Sequence, residues 1–364
     1  MHEQVDRFLH LPGTTTGFAS FSGVCNKLST LHPSGKPCLV YLTNSGTEAI
    51  EAAFKLVRWV TGRPRMLAFY SAFHGRTMGA LSLTASKLVQ QRRFFPLVPG
   101  VSHVPYANCY RCAYGKTVDH CNIECVRFIE ETLFTASVPP EEVGALFLEP
   151  VQGEGGYIIP PKKFFDGLTE LCQKHGILLV ADEIQTGMGR SGKMLASEHF
   201  GFRPDLVAVG KGLASGLPLG ALLAPPELMC WDKGSHASTF GGNPVACAAA
   251  VETLALLEEG LVDHAARMGD YLLAGLRRIL SNCKGVGDLR GLGLLIGIEF
   301  VAGADRKPDV ALRDRVIAAA LKRGLILLGC GKSVLRLTPP LVVTPAELDE
   351  ALAILEQALV AAGA

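Results

Sequence analysis

Long apolar runs are missing from this chain of 364 residues. Its greasiest pieces, GILLVA and LGLLIGIEF, have the length of buried strands, far short of the ~18 residues of a membrane-spanning helix. An excess of either charge is missing too. Lys plus Arg number 35 against 34 for Asp plus Glu, and a net of +1 gives no electrostatic grip on nucleic acid or an anionic membrane. Charged residues make up 19% of the chain and apolar ones 48%, the reverse of a disordered composition. Repeats and low-complexity tracts are absent, and Met1 does not open a secretory leader. A chain this long removes roughly 75% of its unfolded surface from water. Its eleven cysteines are therefore not needed as staples, and they read as reduced thiols in a cytoplasmic protein.

Glycine, by contrast, is plentiful: 40 residues, above the usual share of about 7%, which suggests tight turns and backbone lying close to a ligand. From about Pro37 to Pro244, short apolar runs alternate with amphipathic helical stretches, the pattern of a parallel sheet with crossover helices. CLVYLT, RMLAFY, VGALFLEPV, GILLVADE, PDLVAVGK and LGALLA read as strands, and TEAIEAAFKLVRWV as a helix. After Asn243-Pro244 come a long apolar-periodic helix, the run VGDLRGLGLLIGIEFV, a helix around residues 312–323, strand-like SVLRLTPPLVV, and a last helix opened by Thr344 and Pro345. The expected fold class is α/β. A large, doubly wound, mainly parallel domain covers 37–244, a smaller C-terminal α+β domain covers 245–364, and residues 1–36 form a helical segment ahead of both.

Two of the strands end in charge: Asp182 closes one and Lys211 the other, at the sheet edge where ligands of such folds bind. Gly210 and Gly212 leave Lys211 uncrowded at the end of a buried run. A partly buried ammonium is paired or has its pKa lowered, and a lowered pKa is what an imine-forming lysine needs. NSGTEA, Asn44 to Ala49, lies between a strand and a helix, so Gly46 and Thr47 sit at a helix N-terminus that favours a phosphate. Taken alone it is an ordinary cap, with Ser45 or Thr47 as the capping residue. Together the three elements supply an amine, a carboxylate and a phosphate cradle, the set that pyridoxal phosphate requires.

LLVADEIQTGMGRSG followed by DLVAVGKGLASG closely resembles the signature of the class III aminotransferases, the ornithine and 4-aminobutyrate type of fold type I. FHGRT (73–77), EPVQGEGG (149–156), STFGGNP (238–244) and LRLTPPL (335–341) follow in that family's order. The resemblance implies that Lys211 carries pyridoxal 5′-phosphate as a Schiff base and that Asp182 bonds the pyridine nitrogen. Gln185 would bond the phenolic oxygen, and Gly46 with Thr47 the phosphate. Phe73 would stack on the ring, His74 would stand among the cofactor contacts, and Thr239 would reach the phosphate of a partner subunit, making a homodimer with shared active sites. Arg336 resembles the arginine that binds an α-carboxylate, and Glu154 the glutamate that pairs with it. The implied reaction is ping-pong transfer of an amino group from an ω-amino or basic amino acid to 2-oxoglutarate. A racemase or epimerase on the same scaffold is the alternative.

Two features stand apart. Cys109-x2-Cys112 and Cys121-x3-Cys125 have spacing compatible with a four-thiolate zinc site. The second pair departs from the commonest spacing and Cys125 opens a helix-like run, so we expect reduced thiols and no metal. Members of the family usually begin with an arm that pairs with the small domain. MHEQVDRFLHL, with Val5, Phe8 and Leu9 on one face, resembles the middle of that arrangement, which puts substrate contacts and the dimer in question and leaves room for a non-catalytic remnant.

Overall fold

The computed structural model describes residues 1–13 and 16–364. Seven strands form the first sheet: β1 (Leu39–Thr43), β2 (Arg65–Phe69), β3 (Val101–Val104), β4 (Val143–Leu148), β5 (Leu178–Asp182), β6 (Leu206–Val209) and β7 (Gly220–Ala224). Their order is β1-β7-β6-β5-β4-β2-β3. β7 runs antiparallel to both β6 and β1, and the remaining pairs are parallel. The central runs are apolar throughout because helices cover both faces, and every residue of β4 and β6 is buried. The helix Gly46–Thr61 packs Ile50, Phe54 and Val57 onto one face. The helix Lys162–His175 packs Phe164, Phe165 and Leu168 onto the other.

The small domain is an antiparallel sheet: β8 (Val286–Leu292) and β9 (Leu295–Ala302) form a hairpin, joined by β10 (Lys307–Pro308), β11 (Leu328–Cys330) and β12 (Val334–Leu337). The strand-like run SVLRLTPPLVV thus keeps its strand only to Leu337; Pro339 and Pro340 have no N–H to extend the ladder. The final helix, Pro345–Ala362, starts as expected, with a reciprocal capping box between Thr344 and Glu347. β3, short and carrying Ser102 and His103, is a strand that apolar periodicity does not reveal, as are the two- and three-residue β10 and β11.

The helix Pro244–Leu256 belongs to the large body, where Ala246, Cys247 and Leu254 share a core with Val207, Val209 and Ala221. Gly260, at φ 135°, breaks the helical path, and the helix Val262–Leu280 then feeds the second core through Leu272 and Leu276. The helical path thus passes from one core to the other around Gly260. Within residues 1–36, Val24 and Leu28 of the helix Ala19–Ser29 are fully buried in the large core. The helix His2–Arg7 buries nothing. It ends before Phe8, which turns extended and packs edge-on against Phe18 at 5.7 Å, while Val5 and Leu9 stay exposed.

All the parallel strands and β1 present their carboxyl ends at one edge, and β5 delivers Asp182 there. The neighbouring Glu183 fixes that end. It is fully buried and accepts bonds from the Ser197 N–H (2.7 Å) and hydroxyl (2.6 Å), the Ala196 N–H (3.0 Å) and the Thr186 hydroxyl. Replacing Glu183 by Ala strands four donors in the interior and costs about 3 kcal/mol or more. Urea unfolding measures this, and a change below ~1 kcal/mol would contradict the anchoring role.

Candidate active site

Five strand ends converge. After β1, Ser45 caps the helix Gly46–Thr61 by accepting from the Glu48 N–H at 3.4 Å, and Glu48 reaches back to the Asn44 N–H (2.7 Å) and side-chain amide (2.9 Å). Gly46 and Thr47 occupy the first turn, where backbone N–H groups have no acceptor inside the helix. After β6, Gly210 lies against Gly46: a Cβ built on Gly210 would come within 3.4 Å of the Gly46 Cα. A Cβ on Gly46 would meet Ile184 at 2.7 Å, so the turn after β5 closes the third side. Gly75, at φ 140°, gives way to the Thr47 side chain.

Lys211 follows Gly210 with φ 43°, a left-handed conformation that costs a non-glycine residue energy and persists only where its surroundings impose it. Its side chain opens into a cleft of about 510 Å³ lined by Gln185, Met188, Arg190, Thr253, Thr338 and Leu341, so both domains form the walls. These walls surround the exposed amine on most sides. Burial lowers its pKa below the usual lysine range, opposed by Asp182, Glu149 and Glu154, while Arg336 pushes the same way as burial. Lys211, Asp182, Glu154 and Arg336 thus sit in one electrostatic neighbourhood.

Asp182 is nearly inaccessible. It accepts from His74 Nδ1 at 2.8 Å on one oxygen and from the Ile184 N–H at 3.1 Å on the other. His74 Nε2 is buried among the described residues without a partner, so the tautomer donating from Nδ1 leaves no N–H unpaired. His74 thus orients the Asp182 carboxylate. Phe73 is half-buried, its N–H bound to Glu149 Oε1 at 2.9 Å and one ring face covered by the Arg76 guanidinium at 5.0 Å. Gln185 packs against Gly153, where a Cβ would overlap its Oε1, and its amide faces the Tyr157 hydroxyl at 3.5 Å. Arg336 and Glu154 meet at 3.3 Å across the domain interface. Thr239 is exposed, on a loop held to its own chain by the Asn44 amide donating to Ser238 Oγ at 3.0 Å.

The structure adds Glu149 and Lys87. Glu149 directly follows β4, whose last residue Leu148 pairs with Ala181 just before Asp182, a position the sequence displays in EPVQGEGG. Lys87 bonds Glu154 at 2.5 Å across 67 residues of sequence, and no local pattern signals it. The four cysteines line one small cavity of about 30 Å³ beside Tyr106 and Phe164. Cys121 donates to Glu124 at 3.2 Å, and burial pushes the Cys125 thiol up to about 12. Among the described residues no group of three or more His, Cys, Asp or Glu side chains has the geometry to hold a metal. No helix among them is long and apolar enough to cross a membrane.

The family model Aminotransferase class-III matches residues 1–359. The chain belongs to the class III aminotransferase family. It is 38% identical to an alanine/serine racemase of Pyrococcus horikoshii, over 98% of this chain and 76% of that protein. It is 36% identical to a 5-aminovalerate aminotransferase of Pseudomonas putida, over 98% and 83%. Among solved structures, an amine transaminase from an uncultivated Pseudomonas species in its PLP-bound form superposes with a TM-score of 0.88 at 31% identity, covering 99% of this chain and 84% of that one. The architecture is that of fold type I. The site suits the family's cofactor, pyridoxal 5′-phosphate: first-turn N–H groups beside a glycine-lined approach, a carboxylate with both oxygens oriented, and an amine in the cleft.

Glu149 yields a pH test. Burial raises its pKa from 4.5 to about 7, with Asp182 adding, against the pull of His74 and the Phe73 and Gly153 N–H bonds. Because the folded pKa is the higher one, this contribution is complete below about pH 4.5 and is lost as pH rises to about 7, a change of about 3 kcal/mol. Urea unfolding of the apoprotein between those values measures the decline, and Glu149→Gln flattens it whatever constant offset the substitution adds. An unaltered slope in the variant would contradict the assignment.

Proposed function

We propose that the chain is a pyridoxal-phosphate-dependent aminotransferase that takes the amino group of an ω-amino or basic amino acid and delivers it to 2-oxoglutarate. The observation that carries this reading is the Arg336–Glu154 pair, which spans the domain interface within the electrostatic reach of Lys211. A planar guanidinium binds a carboxylate through two parallel bonds, and a glutamate on the same fork masks it when no carboxylate is offered. Two substrates of different charge can then use one site in turn.

Bound pyridoxal phosphate supplies an electron sink that allows the carbon–hydrogen bond beside the amine to be broken. The residues do the rest. The first-turn N–H groups of Gly46 and Thr47 hold the phosphate, aided by the positive end of the helix. Asp182, kept in place by His74 and Ile184, holds a proton on the ring nitrogen. Phe73 offers its uncovered ring face for stacking, and Gln185 an amide for the phenolic oxygen. The Lys211 amine, its pKa lowered by burial, accepts the substrate proton and returns it one position away. Thr239, beside the exposed Phe240, reaches the partner's phosphate in a homodimer.

The 5-aminovalerate aminotransferase relative supports the donor class, and the alanine/serine racemase supports a second reading in which the proton returns to the same carbon. Incubating the holoenzyme with 5-aminovalerate, 4-aminobutyrate or ornithine, with and without 2-oxoglutarate, separates the two. Glutamate formation that depends strictly on the acceptor is expected. Racemisation of alanine or serine without any acceptor would overturn the aminotransferase reading. Arg336→Ala is expected to raise the KM for 2-oxoglutarate roughly 100-fold, with a much smaller effect on a donor that has no α-carboxylate. An equal loss on both would remove Arg336 from the role.

A further inference from the structure

Glu154 is shared. One carboxylate oxygen lies 3.3 Å from Arg336 Nη1, and the other lies 2.5 Å from Lys87 Nζ. Lys87 comes from the segment after β2, at the N-terminal boundary of the short helix Leu88–Gln91. The Ser86 hydroxyl and the Lys87 N–H both bond Gln90 Oε1, at 2.6 and 3.2 Å, which fixes the backbone that carries the amine. Glu154 itself is only about one-fifth exposed, so a lone charge there is poorly solvated.

These distances bear on how the pair opens. If Glu154 had Arg336 as its sole partner, a substrate carboxylate taking the guanidinium would leave a poorly hydrated anion unpaired. With Lys87 in the tighter contact, Glu154 keeps a counter-ion throughout, and its hold on Arg336 is the longer and weaker of the two. We infer that Lys87 is a positioning residue that draws Glu154 aside and keeps Arg336 available to the carboxylate of a substrate. This rests on the assignment of Arg336 as the carboxylate receptor. Lys87 touches no reacting atom; it sets the balance between the masked and open arrangements, and with it the preference for an α-carboxylate substrate over one whose amine lies far from any carboxylate.

The test uses the holoenzyme and glutarate, a dicarboxylate without a reacting group, titrated by calorimetry alongside the steady-state kinetics. Lys87→Met is expected to weaken glutarate binding and to raise the KM for 2-oxoglutarate by roughly 5- to 20-fold. The kcat and the KM for 4-aminobutyrate or 5-aminovalerate should stay within about twofold. Lys87→Arg should restore most of the loss. Lys87→Met combined with Glu154→Gln should regain glutarate affinity, because the mask is then uncharged, whereas a merely structural role predicts no such rescue. Unchanged glutarate affinity in Lys87→Met, or equal damage to donor and acceptor, would overturn the inference while leaving the aminotransferase reading intact. Acceptor-independent racemisation with Lys87-dependent glutarate binding would instead remove that reading and keep Lys87. Failure of the wild type to bind glutarate would overturn both.

Discussion

The contact between Gly210 and Gly46 is the constraint on which the site depends. It brings the end of β6 against the first turn of the helix after β1, so the lysine that follows Gly210 emerges beside unpaired N–H groups. Ile184, from the turn after β5, packs against the same glycine, and its N–H orients Asp182. Three strand ends are thereby fixed relative to one another by backbone packing, before any ligand contributes. The left-handed Lys211 is held in its uncommon conformation by that packing.

Charge is distributed with the same economy. Asp182 and Glu149 lie on the buried side, Lys211 opens into the cleft, and Glu154 sits between the cations of Lys87 and Arg336. Burial lowers the amine and raises the Glu149 carboxyl, bringing both toward neutrality in the absence of a ligand. The small domain is tied in by another set of ions: buried Glu299 pairs with Arg111 and Arg290, and Arg290 also binds the Gly156 and Tyr157 carbonyls just beyond Glu154. The loop that presents Glu154 is therefore anchored to the domain that supplies Arg336.

Much of this is legible in the sequence, for identifiable reasons. A charged residue closing a fully apolar run marks a sheet edge, and that pattern exposes Asp182 and Lys211. The helix start at Gly46 shows in local capping chemistry. Pairings between distant segments leave no such trace: Glu154 with Arg336 is reachable only through family resemblance, and Lys87 not even by that route. The bond from His74 to Asp182 is of the same kind, since the motif FHGRT does not say which distant side chain the imidazole meets. The helix Pro244–Leu256 is apolar on all sides, so its sequence does not tell which core it serves.

The central claim is that Lys211 is the amine that engages the cofactor. Borohydride treatment of the protein loaded with pyridoxal phosphate, followed by peptide mass mapping, tests it directly. The account predicts a single stable pyridoxyl adduct, on the peptide containing Lys211, and none in Lys211→Ala treated the same way. An adduct confined to other lysines, or none at all on a folded protein, would contradict it.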